Sequence, residues 1–197
     1  DRGDAQQTAL WSLAQLKDAA RPALPFLEDA MSKPRLRHQA AGAISWIDPK
    51  RIRPLIPDLL KAYTANSRDS WALSGAHDFI RFLGPELHAD VVSVLRSCLP
   101  SGQVPDDSPA PLIVHDVHWF ADADPDVVAP LLIGLLQTKW SPRDRGFGSP
   151  NIQVLKFLKK HGEAWSAVAP AVEPLTKVKS LASLARETLT RICPDQS

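Results

Sequence analysis

The sequence predicts an all-α fold, a solenoid of helix pairs stacked in a row. Two observations carry this. A proline-led apolar segment returns along the chain, and between its copies lies a second segment with one apolar helical face. Composition agrees: of 197 residues, 44% are hydrophobic and 23% charged, the balance of an ordinary folded domain.

The first helices are read from the prolines. Arg21-Pro22-Ala23-Leu24-Pro25-Phe26-Leu27 matches Arg53-Pro54-Leu55-Ile56-Pro57-Asp58-Leu59 in kind. The pattern returns at Val128-Ala129-Pro130-Leu131-Leu132 and at Val168-Ala169-Pro170-Ala171-Val172. A further copy, Ala89-Asp90-Val91-Val92, has Asp90 in the proline's place. Taken as equivalent, Pro25, Pro57, Asp90, Pro130 and Pro170 recur every 32 to 40 residues or so, room for two helices and two turns. Proline fits the first turn of a helix, where its missing N–H has no partner to lose. Pro174 falls inside the last copy and is expected to kink it.

The second helices are read from period. In Leu36-Arg37-His38-Gln39-Ala40-Ala41-Gly42-Ala43-Ile44-Ser45-Trp46-Ile47 the residues Leu36, Ala40, Ala43, Ile44 and Ile47 share one face. Small residues at Ala40 and Ala43 admit a close neighbour. Leu181 to Ile192 repeats this frame, and so does Ala5 to Leu16 as a leading half repeat. An amphipathic pair cannot bury its stripe alone, whereas stacked pairs seal one another.

Leu36-Arg37-x-x-Ala40-Ala41-x-Ala43-Ile44-x-x-Ile47-x-Pro49, following the Pro25 helix, resembles a HEAT repeat. The likeness is closest over residues 21–49 and continues over 50–84 and 164–193. Over 85–121 the large Asp116 stands in a small-residue position. The resemblance implies a right-handed superhelix of about five helix pairs plus the half repeat, one domain over 1–197, with the second helices along its inner face. It also implies a protein-binding scaffold, the commonest role of such arrays. Asp1 stands where a full translation product has Met, so a segment of a longer array fits as well.

Charge narrows the partner. Lys plus Arg number 23 and Asp plus Glu 22, a net charge of +1. Phosphate binding usually shows as a basic excess, so nucleic acid is disfavoured. The longest apolar run, Val127 to Leu136, is short of a bilayer span and holds Pro130 and Gly134. The expectation is a soluble protein with no membrane insertion, the cytoplasm being the favoured compartment. Cys98 and Cys193 are far apart and lack metal-knuckle spacing, which suggests two half-buried thiols.

Two places are expected to meet a partner. The longer spacings come from turns at 100–109 and 139–150, expected to lie side by side along one edge. The second offers Trp140, Arg143, Arg145 and Phe147, residue types enriched among interface hot spots. The other place is the inner row, where register with Leu36–Ile47 puts His38, His77, Arg81, His118, Trp119, Lys156 and Lys160 off the core stripe, with Arg35, Gln39, Ser74, Asp78 and His115 among them. His115 and His118, three apart on a helix, could hold a metal ion, but two imidazoles do not close a site. No metal and no cofactor is expected.

Chemistry of its own is not expected. The chain has no GxSxG, no glycine-rich phosphate loop and no Cys beside a His. Two other roles stay open. One is a spacer within a larger protein. The other comes from the resemblance, since a few HEAT-like proteins are DNA glycosylases, and Asp116, Trp119, Arg143, Lys156, Lys159 and Lys160 could imitate their groove.

Overall fold

The computed structural model describes residues 2–64, 70–99, 110–138 and 150–194, which are overwhelmingly helical with no strand among them. The two long turns, and with them Trp140, Arg143, Arg145 and Phe147, lie outside the described residues. The chain divides into two compact units, Asp1–Val94 and Leu95–Ser197.

In the first unit α1 (Arg2–Gln15) is followed by a 3-10 run, Lys17–Ala23, and α2 (Leu24–Met31). Next come α3 (Arg37–Ile47), the short α4 (Pro49–Ile52), α5 (Ile56–Leu59) and α6 (Lys61–Thr64), then α7 (Ser70–Arg81). The helix α8 (His88–Ser97) contains the division. The second unit holds α9 (Ala110–Asp116), α10 (Pro125–Gln137), α11 (Pro150–His161), α12 (Ala169–Val172) and α13 (Ala182–Ile192). A second long 3-10 run, Gly162–Val168, leads into α12.

One stretch of each unit repeats the other in detail. Lys17 and Gly162 both have positive φ, 47° and 72°, and both open a seven-residue 3-10 run. Ala20 and Trp165 are the buried residues at the same step of that run. Leu24 with Leu27, and Ala169 with Val172, continue in phase, and Pro25 and Pro170 occupy the first turn. Leu36 and Leu181 then cap the following helices with nearly the same backbone, φ −110° and −116°. Asp48 and Cys193 end them at φ −148° and −136°, each just before a proline.

The helices between these junctions lie side by side in chain order. In the first unit α1 packs on α3 and α3 on α7, while α2 backs α3 and α5 and α6 back α7. In the second, α9 packs on α11 and α11 on α13, with α10 and α12 behind them. α3 and α7 run parallel, and so do α11 and α13. Going along α3, His38 meets Gly75, Gln39 Nε2 donates to Asp78 at 2.8 Å, Gly42 abuts Phe82, and Ser45 Oγ accepts from the Gly84 N–H at 2.7 Å. Going along α11, the Leu155 C=O accepts from Thr188 Oγ1 at 3.3 Å, and just past the helix a Cβ on Gly162 would lie 3.9 Å from the Arg191 carbonyl oxygen. Both partner numbers rise together in α3 and α7, which an antiparallel pair cannot do.

Two proline expectations change. Pro130 does not begin a helix. It lies inside α10, which starts at Pro125 with Asp124 as its cap, Oδ1 accepting from the Asp126 N–H at 3.0 Å. Proline-led starts at both Pro125 and Pro130 were available, and the capping acid selects the first. Pro174 does not kink a longer helix. The α-helix stops at Val172, and Glu173–Lys177 continues as 3-10 with Pro174 in its first turn.

Candidate functional site

The exposed sides of the second helices differ between the units. Along α3 and α7 three of the expected contact residues, His38, Gln39 and Asp78, are drawn into the helix seam, whereas Arg35, Ser74 and Arg81 are exposed. Gln39 is buried and tied to Asp78, with its Oε1 lacking a hydrogen-bond partner. His38 is half-buried, its ring so close to Gly75 that a methyl there would come within 2.4 Å of Nδ1. Burial lowers the His38 pKa below its usual 6.5, and Arg37 adds to this, against a backbone hydrogen bond at Leu59 and the charges of Asp78 and Asp58. His77 is half-buried, and Arg81 is exposed with its guanidinium 5.6 Å from the Phe82 ring centroid.

The seam explains these placements. Glycines at 42, 75 and 84 let backbone and ring approach to distances that any side chain would close. A Cβ on Gly42 would lie 2.5 Å from Phe82 Cβ, and one on Gly84 would lie 2.5 Å from the Ser45 carbonyl oxygen. Trp46 spans the same seam, its Nε1–H donating to the Phe82 carbonyl at 3.0 Å. Sequence period marks His38 and Gln39 as lying off the apolar stripe. It does not reveal that the neighbouring helix comes close enough to absorb them.

In the second unit, His115 and His118 are exposed, Trp119 is half-buried and Asp116 is fully buried. The His118 Nδ1–H donates to the His115 carbonyl, and its ring lies 4.1 Å from that of Trp119. Among the described residues no three His, Cys, Asp or Glu side chains converge as a metal centre needs.

On α11 the buried Val154, Leu155, Phe157 and Leu158 fix the inward side, which leaves Lys156 and Lys160 exposed and Lys159 at the seam. On α13 the buried Ala185, Thr188 and Ile192 do the same, and Arg186, Glu187 and Arg191 are exposed. Lys159 and Ser183 both hydrogen-bond Glu187, and these bonds, Lys159's first, lower its carboxyl pKa. Arg186 and Arg191 were absent from the sequence-derived row. The signal was present, since the Leu181–Ile192 frame that matches Leu36–Ile47 puts both off the stripe.

No protein-family model, no curated protein and no solved structure matches the chain. No helix among the described residues is long and apolar enough to cross a membrane.

Proposed function

We propose that the chain is a HEAT-like solenoid scaffold that binds a protein partner along the exposed sides of its second helices and performs no chemistry of its own. The observation that supports it is the parallel run of neighbouring second helices, α3 beside α7 and, from the contacts of Leu155 with Thr188 and of Gly162 with Arg191, α11 beside α13. Parallel neighbours need a returning helix between them, which is the repeat of a solenoid. A partner laid across such helices meets side chains from two rigid supports at once, which limits the ordering cost of association. The loop at 139–150 belongs to the same proposal on its residue types, Trp140 and Arg145 above all. Burial of Asp116 also favours a scaffold over base excision, which needs its acid at the substrate.

Photocrosslinking tests the proposal. A photoreactive residue replaces Lys156 on α11 or, as the control, Asp126 at the exposed start of α10. Crosslinking in lysate of the source organism should give a discrete protein adduct from position 156 and none from 126. Equal adducts from both, or none from either, contradict a face-directed scaffold.

A further inference from the structure

We infer that the α11/α13 face docks an acidic segment of a partner protein, with Lys156, Lys160, Arg186 and Arg191 as its anchors. The inference rests on the scaffold reading and supplies the chemistry of the partner. The near-neutral total charge conceals a segregation. Residues 110–138 contain no Lys or Arg, whereas 150–194 carry more than twice as many Lys and Arg as Glu and contain no Asp. Together α11 and α13 carry five cations and one carboxylate, Glu187, and that carboxylate is already engaged by Lys159. The other four cations make no ion pair within the described residues. Each keeps its charge available to an incoming anion.

Spacing and composition decide the class of anion. Lys156 and Lys160 stand about one turn apart, roughly 6 Å along the axis. Alternate side chains of an extended peptide are about 6.6–7 Å apart, so acids at every second position meet these lysines in step. Single-stranded nucleic acid would also want aromatic faces on which its bases can stack. α13 has no aromatic residue, and Phe157 of α11 is buried. Four cations with no ion pair among the described residues, beside one engaged carboxylate, suit a short acidic stretch better than a long phosphate track.

The test is fluorescence anisotropy on the full chain with a labelled octapeptide of alternating Glu and Ser. The comparisons are its Gln-Ser counterpart and a labelled thymidine octanucleotide. The Glu peptide should bind at least about tenfold tighter than the Gln peptide, and raising NaCl from about 50 to about 300 mM should weaken it severalfold. The double variant K156E/K160E should lose about tenfold or more, at unchanged circular dichroism. The variant K33E, on the first unit, should bind like the parent. Failure of the Glu peptide to bind, equal binding by K156E/K160E with helicity intact, or tighter binding of the oligonucleotide would each overturn the inference. A partner that still crosslinks at position 156 while the Glu peptide fails leaves the scaffold standing and removes only its acidic partner. Peptide binding without any crosslinked protein does the reverse.

Discussion

The seam between α3 and α7 and the seam between α11 and α13 are built on one plan and filled differently. In the first, glycines bring the helices together so closely that Gln39, Ser45 and His38 are spent on packing. In the second, the buried polar tie is Thr188, which bonds the Leu155 and Leu184 carbonyls, and the charged pair Lys159–Glu187 lies out at the surface. The same sequence register therefore yields a seam that absorbs several polar residues in one unit and leaves Lys156, Lys160, Arg186 and Arg191 exposed in the other. The α11/α13 side is accordingly the one we propose as the binding side.

The largest expected effect breaks the closed seam. Gly42→Ala drives a methyl into Phe82 Cβ and the adjoining backbone, and overpacking of this kind costs about 1–3 kcal/mol. Gly75→Ala meets the flank of the His38 ring, Nδ1, Cε1 and Cγ, and no backbone among its nearest atoms, so the variant stays level if that ring swings aside and gains up to about 1 kcal/mol of helix propensity. Urea midpoints should therefore fall clearly for the first variant and stay level or rise for the second. Two similar falls would mean that His38 cannot move.

The matched junctions give a smaller contrast. Gly162 has φ 72°, so Gly162→Ala should cost about 1 kcal/mol, whereas Lys17 bears the same strain natively at φ 47°. Lys17→Gly should stabilise by about 0.5–1 kcal/mol, less whatever is lost from the contact of Lys17 Nζ, 5.7 Å from the Trp46 ring centroid. Paired thermal melts check both signs.

Acidity should sharpen the comparison least but most selectively. Burial holds the His38 pKa below the 6.5 of an unfolded chain, so the fold prefers the neutral ring. That contribution is complete above 6.5 and is lost as pH falls from there through the lower folded value. His38→Gln should flatten the part of the stability–pH curve in that window. His161 in the second unit is shifted the same way, by burial and then by Lys160, so its replacement should flatten a separate share. A curve unchanged by either variant would place the acid sensitivity elsewhere.

Much of this was legible in residue types. Pro25, Pro57 and Pro170 begin helices because a first turn has no N–H bond for proline to remove, and Leu36 and Leu181 open matching frames. Pro130 misled because a proline five residues earlier, preceded by a capping Asp, competes for the same start. Lys156 and Lys160 were legible as off-stripe residues, and the structure leaves them exposed. Gln39 was equally off-stripe and is buried, because period reports a residue's angle around its own helix and says nothing of how near the next helix stands.

Spin-label distances from α13 to α11 and the start of the 3-10 run that follows it test the central claim most directly, in a chain with Cys98 and Cys193 replaced by Ser. Labels at Lys156 with Ser183, and at Glu163 with Arg191, should give similar short distances if neighbouring second helices run parallel. Labels at Lys156 with Arg191 should then lie farther apart, the offset along the axis being on the order of 10 Å. A 156–191 distance shorter than the 156–183 distance would mean that the helices are antiparallel, and the shared basic face would be lost with the stacking that creates it.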